Sequence, residues 1–286
     1  MFNENVYKWV TERIIKQLEA GVAPWHKPWK SEFPRNLVSG KEYHGINVFM
    51  LGMQGYGSPY WLTYQQASER GAQVRKGQHA TMIVFWKASE KPVREEDGTE
   101  EVKRWFTLRY YNVFNAEQCD NLEVPETTRE VKPIPECKRI VEGMPNRPEQ
   151  EQAGKAYYRP STDTVGMPAQ PLFEHDEAFY ATMFHELVHS TGHPTRLSRF
   201  ASGEKPANFG SDSYSKEELV AELGSAMLCG IAGISPTVSD NSAAYLQSWI
   251  NALKGDSRLI IQAASAAQKA ADYILGKEET REEPKP

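Results

Sequence analysis

The feature that most constrains the chain is the run His185-Glu186-Leu187-Val188-His189, an HExxH. Two histidines four residues apart can face one cation only if the run is an α-helix, where positions i and i+4 share a face. Stepping about 100° per residue puts His189, Thr182 and Glu186 within about 100° of His185. Met183, Leu187, Tyr180, Phe184 and Val188 occupy the opposite arc. The helix therefore has one side to bury and one to line a cleft. Two imidazoles suit one zinc ion per chain, and Glu186 beside the first can take a proton from an attacking water. A catalytic zinc site needs a third protein donor and one open position. His193 follows too closely, and Gly192 with Pro194 ends the helix, so His193 reads as a turn residue at the rim.

The third donor is sought in SKEELVAELGSAML, a predicted helix on which Glu218 and Glu222 lie one turn apart, with Ala221 and Ser225 leaving room for a second helix. In glutamate-type zincins an E-x-x-x-D/E/N pattern supplies a ligand, and the residue four later holds a ligand histidine by its other nitrogen. On that pattern Glu218 is the ligand and Glu222 its supporting partner, with Glu217 as the alternative ligand. Ser215 with Glu218 also spells a capping box, which would turn Glu218 toward its own backbone. The stretch Thr164–Met167 reads as a strand beside the metal helix, either at the edge of a sheet or as ordinary packing.

The 286 residues suggest two domains, and the two ends differ in character. Residues 1–90 carry 11 Lys and Arg against 7 Asp and Glu, whereas the remainder carries 22 against 31. Six of seven tryptophans (Trp9, Trp25, Trp29, Trp61, Trp86 and Trp105) fall in the first 105 residues. Aromatics interleaved with cations (Trp25, Lys27, Trp29, Lys30, Lys41, Tyr43, Trp61, Arg75 and Lys76) can stack unpaired bases and neutralise phosphates, which makes single-stranded DNA the expected partner. At this density such rings are more often core, and the charge excess of the first 90 residues is modest.

The pattern predicts an α+β protein: an N-terminal α+β domain with a β-hairpin or sheet, then a mainly helical zincin-like domain with a small sheet. The expected boundaries are 1–125, a linker at 126–135 (or a surface loop), 136–276, and a disordered tail at 277–286. Helices are predicted at 4–20, with Gly21 as its C-terminal stop, after Thr63 in a capping box with Gln66, and at 136–143, 176–191, 215–231, 241–253 and 256–275. A hairpin is predicted over 80–88 and 101–114, with a long mobile tip at Asp97-Gly98. Three cysteines without CxxC spacing, no apolar run of membrane length and a charged N-terminus predict a cytoplasmic protein with no membrane association.

The ordered motifs carry a resemblance. Gly21-Val22-Ala23-Pro24-Trp25-His26-Lys27-Pro28-Trp29 is followed by Gly40-Lys41-Glu42-Tyr43-His44-Gly45-Ile46-Asn47. Then come Trp61-Leu62-Thr63-Tyr64, Gly71-Ala72-Gln73-Val74-Arg75-Lys76-Gly77, and the segment from Phe184 to His193. This series resembles the ArdC family of plasmid antirestriction proteins, whose N-terminal region is also similar to one in conjugative plasmid primases. The resemblance implies an N-terminal single-stranded-DNA-binding domain, a C-terminal zincin-like metallopeptidase domain with a possible protein substrate, and protection of incoming conjugative DNA. The alternative is a single-stranded-DNA-binding protein whose zincin domain is structural or catalytically silent. No acidic motif of a polymerase type is apparent.

Overall fold

The computed structural model describes residues 2–21, 23–26, 33–94, 100–125, 133–200, 212–235 and 242–277. Helix α1 (Phe2–Glu19) buries Val6, Val10, Ile14 and Leu18, a spacing of four that gives one apolar stripe. It stops at Gly21, whose φ of 76° is the left-handed value a helix terminator needs. A single turn of 3₁₀ helix, Pro24–His26, follows, then β1 (Arg35–Asn36), α2 (Ile46–Gly52) and β2 (Tyr60–Leu62). Helix α3 (Tyr64–Glu69) starts with the predicted capping box, the Thr63 side chain accepting from the Gln66 amide and the Gln66 side chain accepting from the Thr63 amide.

After β3 (Gln73–Val74), strands β4 (Thr81–Arg94) and β5 (Glu100–Asn115) form the predicted hairpin. Their antiparallel ladder runs unbroken from Thr81↔Val113 to Arg94↔Glu100, past the expected strand limits at 88 and 101, and the expected tip at Asp97-Gly98 lies outside the described residues. The sheet order is β1-β2-β5-β4, and β3 pairs separately with β6 (Cys119–Asp120). Residues 126–132 of the expected linker, and 278–286 of the expected tail, lie outside the described residues. The last three linker positions already belong to α4 (Pro133–Gly143).

After α4, the second half has a small sheet of β7 (Glu149–Gln152), β8 (Tyr157–Arg159) and β9 (Thr164–Met167), in the order β7-β9-β8, and, among the described residues, four further α-helices. These are α5 (Asp176–Ser190), α6 (Asp212–Ala232), α7 (Ser242–Gly255) and α8 (Leu259–Ile274). Strand β9 is the centre of its sheet, not an edge: both sides are paired and all four residues are buried. Gly166 in β9 leaves room for the Tyr157 ring on the neighbouring strand, since a Cβ there would sit 2.4 Å from it.

One core cluster runs through both halves, from Val6 and Trp25 to Phe184, Leu223 and Ile274. Thr11 Oγ1 donates to the Ser257 carbonyl at 2.7 Å, and Lys254 Nζ lies 2.7 Å from Glu19. The α+β expectation therefore holds, with a sheet-bearing front and a largely helical back. Among the described residues no helix is long and apolar enough to cross a membrane.

Candidate metal centre

Helix α5 carries the HExxH as predicted, with Tyr180, Phe184, Leu187 and Val188 buried beneath it. Helix α6 can lie close because its facing residues are small. A Cβ on Gly224 would come within 2.8 Å of Val188, and Ser225 Oγ donates to the Ala181 carbonyl at 2.9 Å. Helix α6 begins at Asp212, so Ser215 lies inside the helix and does not cap it. Glu218 is thereby available to the cleft.

The two helices bring His185, His189 and Glu218 together, with one donor atom of each within 4.8 Å of the others. His185 Nε2 and His189 Nε2 are 3.1 Å apart. Glu218 spans them, Oε2 lying 3.5 Å from His185 Nε2 and Oε1 3.5 Å from His189 Nε2. Two imidazoles and one carboxylate converging on one point fit a four-coordinate divalent ion with one position left open. Glu186, 8% exposed, is buried next to the first histidine on the same helix and is not in the donor cluster.

The Nδ1 atoms face carboxylates on the other side. His185 Nδ1 lies 3.7 Å from Glu222 Oε1, the partner that the four-residue spacing predicted. His189 Nδ1 lies 3.4 Å from Glu217 Oε1. Glu217 therefore sits behind a ligand histidine and not in the donor cluster. A carboxylate at Nδ1 keeps that nitrogen protonated and turns the Nε2 lone pair toward the cation.

Arg199 holds Glu217 there. Its Nη2 donates to Glu217 Oε1 at 2.7 Å and to the Val188 carbonyl at 2.9 Å; its Nη1 donates to Thr191 Oγ1 at 2.6 Å. Burial alone would raise the Glu217 pKa, but hydrogen bonds from His189 and Arg199 hold it below the usual carboxylate range. For His185, burial works against the charged ring. Glu218, Glu222 and Glu186 outweigh it and raise the pKa to about 9 without a cation present.

A second arginine ties the same loop to the small sheet. The fully buried Arg196 side chain donates to the Ser190 and Asn146 carbonyls, both at 2.8 Å, and pairs with Asp163. Sequence reasoning missed both arginines. Their only signal is basic residues three apart just past the helix, and nothing local says that the chain folds back there. His193 lies in the turn as expected, its Nδ1 2.8 Å from Thr195 Oγ1, and is absent from the donor cluster.

The aromatic residues expected to stack DNA fare differently. Trp25 has no exposed surface and packs edge-on against Trp249 of α7, with ring centroids 5.3 Å apart. Trp61 and Tyr43 are 2% and 6% exposed, in a cluster with Leu51, Ile83 and Val113. These three rings are corrected to core residues: a ring covered by protein has no face for a base. Lys27, Trp29 and Lys30 lie outside the described residues. Lys41 and Lys76 are exposed. Arg75 is also exposed, but its guanidinium is engaged by Asp120 at 3.4 Å and by the Glu117 carbonyl.

Comparison with known proteins matches both halves. A family described as the N-terminal domain of anti-restriction factor ArdC covers residues 4–114, and one described as zincin-like metallopeptidase covers residues 140–266. The uncharacterized protein y4eC of Sinorhizobium fredii is 37% identical over 94% of this chain and 91% of its own. A DNA primase TraC of Escherichia coli is 40% identical over 94% of this chain, which spans only 27% of that primase. The crystal structure of the antirestriction ArdC protein from plasmid R388 superposes with a TM-score of 0.75 at 41% identity, covering 94% of this chain and 96% of that one. Its Mn(II)-bound form gives 0.74 at 38% identity, covering 96% and 99%.

Proposed function

Because this chain belongs to the ArdC antirestriction family, with a zincin-like metallopeptidase domain, we propose that it couples single-stranded DNA binding to zinc-dependent peptide hydrolysis in defence of incoming conjugative DNA. The observation that carries the hydrolytic half is the meeting of His185, His189 and Glu218 beside a buried Glu186.

A divalent ion held by those three donors would supply Lewis acidity to a substrate carbonyl. The chain's own residues do the rest. Glu222 and Glu217 fix the two imidazoles from behind. Glu186 accepts the proton of the attacking water and returns it to the leaving amine. Zinc is the proposed ion because a His₂Glu set with one open position suits it, although the R388 relative has been solved with Mn(II). The DNA-binding half is supported by the match of residues 4–114 to the ArdC N-terminal domain and by a sequence relative that is a primase.

The test is a proteolysis assay with zinc- and manganese-loaded protein, with and without single-stranded DNA, on a broad panel of protein substrates. Cleavage by the wild type that is lost in Glu186→Ala at unchanged metal content supports the reading. No cleavage under any condition by metal-replete protein would favour a silent zincin domain and protection by DNA coverage alone.

A further inference from the structure

The burial of Trp25, Tyr43 and Trp61 leaves the stacking chemistry to rings elsewhere. The β4–β5 ribbon carries them, and its two sides differ. Side chains alternate along a strand, and directly paired residues of an antiparallel ladder share a side. One side holds Val84 with Tyr110, Trp86 with Leu108 and Ala88 with Phe106. Helix α1 covers part of it, Tyr7 approaching Trp86 at 6.2 Å.

The other side holds Ile83 with Tyr111, Phe85 with Arg109 and Lys87 with Thr107. Phe85 and Tyr111 are half-buried and stack nearly parallel, with ring centroids 4.6 Å apart and planes at 12°. Arg109 and Lys87, directly beyond them, are exposed and have no ion pair among the described residues. Phe106 and Tyr110 on the α1 side are more exposed, at 62% and 53%, but no cation among the described residues is paired with them in the register.

We infer that the side of the β4–β5 ribbon carrying Tyr111, Phe85, Arg109 and Lys87 is the face that binds single-stranded DNA. The stacked pair offers its outer surface to a base, and the two cations lie where the adjoining phosphates would run. This inference rests on the proposed single-strand binding and adds its location. A duplex hides its base faces from such a pair, so the face prefers unpaired strands.

The test uses the full chain and a fluorescein-labelled oligothymidylate, with anisotropy read over a salt series. Lys87→Ala/Arg109→Ala should weaken binding at low salt and reduce the magnitude of the log–log salt slope by about 1.4, roughly 0.7 for each phosphate that is no longer neutralised. Phe85→Leu, which keeps an apolar side chain but removes the π-face, should weaken binding about 5- to 150-fold with little change in slope. Circular dichroism and metal content should match the wild type in both. Phe106→Ala/Tyr110→Ala, on the other side, should leave affinity unchanged. Wild-type binding that survives in the Lys87/Arg109 and Phe85 variants, or that is lost only in the Phe106/Tyr110 variant, overturns the location and leaves single-strand binding standing. A wild type that does not bind oligothymidylate, or binds duplex equally well, overturns the single-strand reading itself.

Discussion

The metal cleft and the proline–tryptophan segment are both dense in residues able to do chemistry, and the fold treats them in opposite ways. In the cleft, His185, His189 and Glu218 are turned toward one another with little exposure, and each imidazole is backed by a further carboxylate. In the segment, Trp25 is spent on joining the halves, against the one tryptophan of the second half, Trp249. The reason lies in desolvation. Burying carboxylates and imidazoles is unfavourable unless they meet partners or a cation, so such a cluster signals a site. Burying an indole is favourable in itself, so a tryptophan motif is compatible with core or surface.

The largest effect that tests this contrast is on metal content. His185→Ala/His189→Ala should take bound metal from about one equivalent to none by elemental analysis, on the three-donor logic. Glu218→Ala should do nearly the same. Full retention in the double histidine variant would remove the cleft from the comparison.

Next is Trp25→Ala, expected to lose about 3–5 kcal/mol of folding stability in denaturant titrations, as for a large aromatic removed from a core. Metal stoichiometry of the folded fraction should be unchanged. An unchanged melting temperature with lost DNA affinity would return Trp25 to the surface and break the contrast.

Smaller effects should come from behind the histidines. Glu217→Gln and Arg199→Ala should each weaken metal binding about 10- to 100-fold, by freeing the His189 ring. In a Glu217→Ala background, Arg199→Ala should cost little further affinity, because the arginine acts through the carboxylate. Additive losses in that cycle would mean that Arg199 serves the loop and not the histidine.

The pH dependence has a definite sign. With its pKa raised to about 9 in the metal-free fold, above the ordinary value of about 6.5, His185 binds its proton more tightly folded than unfolded. Its contribution to metal-free stability is fully present below about pH 6.5 and is lost as pH rises through about 9. Melting temperatures of chelator-treated protein should fall over that window, and His185→Gln should flatten the fall. The smallest effect belongs to Lys41→Ala/Lys76→Ala: as exposed residues they should change stability by no more than about 0.5 kcal/mol.

Much of the architecture was legible locally. The four-residue spacing in α1, the capping box at Thr63, the hairpin strands and the four C-terminal helices each follow from short-range periodicity and end signals. The short strands β1, β2, β3 and β6 were not legible, because two or three residues hold no periodicity and owe their form to a neighbour's ladder. For strand β9 the sequence leaves edge and interior both open, since its partners β7 and β8 are exposed or half-exposed residues with no apolar run.

Within the site, the chain's own order dictated which residues share a helical face. The i, i+4 geometry of His185 with His189, and of Glu218 with Glu222, is a property of any α-helix, wherever it packs. Which glutamate turns to Nε2 and which to Nδ1 was settled only when α6 lay against α5 through Gly224 and Ser225, and when Arg199 returned along the loop to claim Glu217. The fate of the aromatic rings was likewise a tertiary matter. Trp25 and Phe85 are both large aromatic residues, but one meets Trp249 across the shared core, whereas the other lies where the ribbon leaves that core, beside Arg109 and Lys87. Helical periodicity is local and survives in one dimension; exposure depends on what arrives from the far end of the chain.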